Sequence, residues 1–159
     1  MSWSLLAFVG LNFFAALSGA VFAPGEWFKS LKKPTWQPPD WAFPVVWSIL
    51  FLLNSVAGWL VYSKVGFSDG GMLAMAIYVG SLVLNAAWSA LFFGMKRMDL
   101  ATYEAAVLWL SLVAQIAVFY PIEPIAALIT LPYLAWVTVA FVLSRTVWRL
   151  NPEEAQARA

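Results

Sequence analysis

The sequence predicts an all-α, polytopic membrane protein built as a bundle of five transmembrane helices. Of its 159 residues 63% are hydrophobic and only 11% are charged, whereas a soluble domain carries about 25% charged residues. The charges also punctuate the chain. Uncharged runs cover 1–25, 41–63, 70–95, 105–122 and 124–144, with lengths of 25, 23, 26, 18 and 21 residues, and a spanning helix needs about 20 apolar residues. Finally, runs such as "LLAFVGLNFFAALSGAVFA" lack the alternation of a barrel strand. A helix satisfies its own backbone where lipid offers no partners.

The first helix is expected near 3–23. No Lys or Arg precedes it, and its apolar stretch exceeds the core of about 7–15 residues in a signal peptide, so it reads as a retained span. Asn12, Ala15, Gly19 and Phe22 share one of its faces. Residues 24–42 form the one long connection. The stretch "KKPTWQPPDWAFPVVW", 32–47, is too stiff and too aromatic for a simple tether, and it reads as a lid over an aromatic cavity. The second helix, near 43–63, carries Phe43, Val46, Trp47, Leu50 and Asn54 on one face.

The third helix, near 72–94, has two distinct faces. Ser81, Asn85, Trp88, Ser89 and Phe92 form one, and Ala86, Ala90 and Gly94 form a small-xxx-small line on another. The small line suits close approach of a second helix, either from another subunit or from the same bundle. The fourth helix, near 100–120, follows the short turn "MKRMD". Glu104 near its start reads as a solvated end residue, with a cation or proton site as the alternative. The fifth helix, near 125–147, opens at the prolines of "YPIEP", is expected to kink at Pro132, and aligns Tyr133, Trp136, Ala140 and Leu143. Residues 1–150 thus form a single domain, and the polar tail 151–159 is expected to be flexible.

Turned inward together, these stripes would line an apolar pocket with a few hydrogen-bonding groups, the usual form of a small-molecule site. Plain core packing is the alternative. Trp36, Trp41, Trp47, Trp88 and Trp136 fit the lid and pocket. Trp3, Trp27, Trp59, Trp109 and Trp148 fit interfacial or lipid-facing roles. With five spans, Lys29, Lys32, Lys33, Lys96, Arg97, Arg145, Arg149 and Arg158 share one side and only Lys64 lies on the other. That asymmetry puts the first loop and the C-terminus in the cytoplasm and the N-terminus outside, if the membrane is the inner one. A net charge of +1 gives no basic patch for nucleic acid. The absence of Cys and His excludes disulfides, Cys/His zinc sites, His-ligated haem and the usual acyl-transfer triads. No metal site and no obligatory cofactor are expected.

Three stretches, "KPTWQPPDWAFPVVW" (33–47), "LNAAWSALFFGMKRM" (84–98) and "PYLAWVTVAFVLSRTVWRLN" (132–151), resemble the TspO family of tryptophan-rich sensory proteins and mitochondrial translocator proteins. The resemblance covers essentially the whole chain. It implies a five-helix bundle, commonly a homodimer, whose cavity is closed by the first loop. The implied ligands are tetrapyrroles such as protoporphyrin IX and haem, with sterols and benzodiazepine-site drugs beside them, and the implied roles are tetrapyrrole and stress regulation. Trp36, Pro38, Pro39, Trp41, Pro44 and Trp47 match the lid motif. Asn85, Trp88, Phe92, Phe93 and Gly94 match the third helix, and Pro132, Tyr133, Trp136, Ala140, Leu143, Trp148 and Arg149 match the fifth. Phe43, Val46, Trp47, Ala140 and Leu143 correspond to cavity-lining positions, and Ala86, Ala90 and Gly94 are the expected dimer face. The resemblance also implies an outer-membrane location for some relatives. The sterol segment departs from the family pattern, reading "LSRTVWR" without its tyrosine, and Thr35 stands where some relatives have a second tryptophan. A membrane receptor or carrier is the leading reading. Light-dependent porphyrin breakdown with Trp36 and Trp136 as electron partners, and a membrane scaffold, are its alternatives.

Overall fold

The computed structural model describes residues 3–68 and 70–158. The expectations for residues 1–2 of the domain and 159 of the tail lie outside these. The chain forms α1 (Trp3–Val21), α2 (Glu26–Ser30), α3 (Ala42–Val65), α4 (Gly71–Ser89), a π-helical turn (Ala90–Gly94), α5 (Met98–Phe119), α6 (Pro124–Leu150) and α7 (Pro152–Gln156). Five of these segments, counting α4 with its π turn, are long and apolar enough to cross a membrane. The five-helix reading holds, with no end moved by more than three residues. Local chemistry sets several ends. α3 stops at Gly66, whose φ of 55° suits a residue without Cβ. α6 opens with Pro124 behind Glu123, whose carboxylate accepts from the Ile125 N–H at 3.2 Å. α6 then runs as one helix through Pro132.

The long helices close into a ring in which α1 packs on α3, α3 on α6, α6 on α5, α5 on α4 and α4 on α1. The successive helices α3 and α4 also meet, near their shared loop. There Ala57 and Val61 are buried together with Ala74, Met75 and Tyr78, and Gly58 allows the close approach: a Cβ on it would lie 2.6 Å from the Tyr78 ring and 2.8 Å from Phe8.

A chain of buried amides crosses the middle of the bundle. Asn12 donates to the Tyr78 hydroxyl, Asn54 donates to Asn12 Oδ1 at 3.0 Å, Gln115 donates to Asn54 Oδ1 at 3.0 Å, and Ser81 donates to Gln115 Oε1 at 3.0 Å. One polar group from each of α1, α3 and α5 and two from α4 are thereby satisfied away from lipid, which fixes the register of four helices. Asn12, Asn54 and Ser81 lay on the inward stripes. Tyr78 and Gln115 are additions.

Two expectations are corrected here. Within the tail, expected to be flexible, residues 152–156 instead form α7, with Pro152 at its start and Glu153 and Glu154 in its first turn. The small-residue line also does not continue evenly to Gly94. Over 90–94 the backbone takes wider turns, with Met95 N–H donating to Ala90 O at 2.8 Å, so the 3.6-residue spacing is lost there. Gly94 meets Phe22, just past the end of α1 in the same chain, where a Cβ would lie 2.8 Å from the ring. Its close neighbour is therefore intramolecular.

Candidate ligand-binding site

The lid packs on the bundle through α2. The Trp27 ring lies 5.9 Å from Phe92, and Phe28 lies 5.9 Å from Phe92 and 5.4 Å from Phe93. In a wide turn adjacent residues are rotated less than in an α-helix, and Phe92 and Phe93 both reach Phe28. Trp27 was assigned to the interface from sequence; instead it packs inward and its indole N–H donates to Glu154 of α7 at 3.0 Å. The lid is latched a second time by Asn151. The Lys32 N–H donates to Asn151 Oδ1 at 2.8 Å, and Asn151 Nδ2 donates back to the Lys32 carbonyl at 2.9 Å. Leu31 is buried between these latches.

The proline-rich half of the lid behaves differently. Trp36 and Trp41 are 48% and 70% exposed, so they do not form the inner surface that the sequence suggests. Lys33 lies 4.1 Å from the centre of the Phe28 ring, and Lys29 pairs with Glu26 at 2.7 Å.

Beneath α2, most of the remaining sequence-predicted residues come together. Phe43 contacts Trp136 edge-on at 5.7 Å, Trp47 meets Tyr133 edge-on at 5.9 Å, and Trp88 stacks on Phe92 at 5.1 Å. Leu143 is buried in the cluster against which Phe43 and Trp88 pack, and Val46, Trp47 and Trp136 pack against the neighbouring cluster of Leu50, Leu108, Leu112, Tyr133 and Val137. Asn85 is buried beside the Tyr133 hydroxyl, in a geometry that falls short of a hydrogen bond. Ala140 is half-buried. α3, α4 and α6 therefore present an aromatic wall with an amide at its edge, a lining suited to flat apolar guests.

The helices leave two hollows, the first of which adjoins this wall. One, of about 400 Å³, lies between α3 and α6 and is lined by Val46, Ile49, Leu50, Leu53, Pro132, Ala135, Trp136 and Val139. Sites for small molecules span about 300–1,000 Å³. Ile49 is exposed, so the hollow opens sideways toward lipid. The other, of about 450 Å³, is lined by Arg145, Trp148, Arg149, Pro152, Ala155 and Gln156, on the segment that resembles the sterol motif.

Glu104 is not a solvated end residue. It is buried in α5, and neither carboxylate oxygen has a hydrogen-bond partner among the described residues. Sequence reasoning undervalued it because an acidic residue six positions into a helix looks close enough to the headgroups to reach water.

The TspO/MBR family model matches residues 4–149. The chain belongs to the TspO/MBR family. Its relatives include Protein CrtK of Rhodobacter capsulatus, 39% identical over 88% of each chain. A tryptophan-rich sensory protein of Cereibacter sphaeroides is 38% identical over 100% of this chain and 99% of its own. The human translocator protein is 34% identical over 84% of this chain and 81% of its own. Family membership and five spanning helices together make the chain a multi-pass membrane protein.

Proposed function

We propose that the chain is an integral membrane receptor or carrier for tetrapyrroles, protoporphyrin IX and haem among them, bound against the aromatic wall beneath the first loop. The convergence of Phe43, Trp47, Trp88, Phe92 and Trp136 from three helices under α2 carries this reading. A porphyrin is a flat, mostly apolar disc, and stacking of comparable rings on aromatic side chains contributes about 1–3 kcal/mol each. The names of two relatives, a tryptophan-rich sensory protein and a translocator protein, agree with a receptor or carrier. Sterols and drug-like molecules are secondary ligands of the same class. If the membrane is the inner one, the lid and C-terminus face the cytoplasm in this reading, on the side rich in Lys and Arg, and the chain works as a homodimer through Ala86 of α4 and Ala90 at the start of the π turn.

The test is a titration of purified protein with protoporphyrin IX, read by quenching of tryptophan fluorescence. Saturable quenching is expected, and replacing Trp47 by Leu together with Asn85 by Ala should weaken affinity by about 5- to 150-fold. Quenching that rises without saturation, or a double variant that binds as the parent does, would remove the reading.

A further inference from the structure

Buried polar groups in folded proteins are nearly always partnered, so those that are not mark a place where something else belongs. Among the described residues, the buried side-chain atoms without a hydrogen-bond partner include both Glu104 oxygens, the indole N–H groups of Trp88 and Trp136, and the Tyr133 hydroxyl. These groups are not scattered. Ala101, Glu104 and Leu108 lie on one face of α5 at helical spacing. Ala101 is buried in the cluster against which Trp88 packs. One turn beyond Glu104, Leu108 is buried with Tyr133 in the cluster against which Trp136 packs. Glu104 sits between the two along the same face of α5.

Glu104 is only 9% exposed. The basic side chains of this end are directed elsewhere: Arg97 pairs with Asp99 at 2.6 Å, Lys96 lies over the Trp27 ring, and Arg145 and Arg149 are exposed. A lone carboxylate in apolar surroundings is strongly disfavoured without a counter-group, and an ionisable residue inside a span marks a functional site by default. The surroundings indicate which counter-group fits. Tryptophan and tyrosine faces around a carboxylate combine ion pairing with cation–π attraction, the chemistry that recognises organic ammonium ions.

We propose that Glu104, on the face of α5 between the cluster that Trp88 packs against and the one that holds Tyr133 and Trp136, anchors a site for a protonated amine carried on an apolar body. The ammonium donates to Glu104 and to the Tyr133 hydroxyl oxygen, the indole rings face its charge, and the indole N–H groups serve an acceptor oxygen on the guest. This ligand class is distinct from tetrapyrroles, and the inference does not rest on the tetrapyrrole reading.

The experiment compares 1-pyrenemethylamine with 1-pyrenemethanol, two probes with the same apolar body. Each is titrated into purified protein in nanodiscs of zwitterionic lipid and read by energy transfer from tryptophan to pyrene. The amine is expected to bind at least about tenfold more tightly than the alcohol. Glu104→Gln should abolish that preference and leave the alcohol's affinity unchanged. Equal affinities in the parent protein, or a preference that survives Glu104→Gln, would overturn the proposal. Because the substitution alters a buried position, an infrared difference spectrum of the parent protein gives a second reading. A carboxyl band change is expected on adding the amine and none on adding the alcohol; the same spectrum for both would overturn the proposal. Protoporphyrin titration reports on the tetrapyrrole reading separately, since the amine preference stands or falls without it.

Discussion

Asn151→Ala tests whether the C-terminal segment holds the lid shut. Asn151 is buried, and its side chain makes both a donor and an acceptor bond to the Lys32 backbone, at 2.9 and 2.8 Å. Alanine removes both links between segments 119 residues apart. At a net of about 0.5–1.5 kcal/mol per bond, the closed lid loses about 1–3 kcal/mol, or roughly 5- to 150-fold in the ratio of open to closed. The Trp27–Glu154 bond and the rings around Phe92 remain, so the lid should open more often without detaching. The assay is backbone amide hydrogen exchange in nanodiscs, read by mass spectrometry. Peptides covering 26–33 should exchange faster by that factor, while peptides from α5 keep the parent rate. Parent-like exchange at 26–33 would show that Asn151 does not latch the lid.

Gly58→Ala should destabilise the bundle by about 1–3 kcal/mol through overpacking, because its Cβ would lie 2.6 Å from the Tyr78 ring; reversible unfolding in mixed micelles measures this, and a neutral result would mean that α3 and α4 do not approach so closely. Asn54→Ala and Gln115→Ala should be coupled by about 0.6 kcal/mol and at most about 1.7, as for hydrogen bonds inside membranes, because Gln115 donates to Asn54; strict additivity in the double-mutant cycle would break the amide chain at that link. The Lys64 ammonium, 2.6 Å from Glu123, and the Ile125 N–H hold the Glu123 carboxyl below its ordinary value of 4.5. A group depressed on folding adds stability that is present above the ordinary value and is lost as pH falls through the lower, folded one. Thermal melts of the parent should therefore drop more between about pH 7 and pH 3 than those of Glu123→Gln; parallel drops would contradict the ion pair's role.

The five spans were legible because the few charges fall between the helices, and inward faces were legible because Asn12, Asn54, Ser81 and Asn85 have no business facing lipid. Gln115 carried the same signal, lying at helical spacing from Leu108 and Leu112, and was open to the same argument. So was α7: Asn151-Pro152-Glu153-Glu154 is a helix start by composition, with proline first and acids in the first turn. The division of labour within the lid was not legible. Trp27 and Trp36 have equal claims as sequence, and only the packing of α2 on Phe92 separates the half-buried one from the exposed one. Nor does any local signal announce the wide turn at 90–94, which arises where two adjacent phenylalanines both meet Phe28. Glu104 was misjudged on depth, since position along a helix says nothing about which side faces the interior.

A structure determined with protoporphyrin IX bound would test most directly whether the rings of α3, α4 and α6 receive a guest beneath α2. The tetrapyrrole should lie in contact with Phe43, Trp47 and Trp136, with Asn85 at its edge and α2 above it. A tetrapyrrole found only in the lipid-facing hollow beside Ile49 and Ala135, or only at the hollow beside Arg145 and Arg149, with the aromatic wall packed closed, would contradict the account.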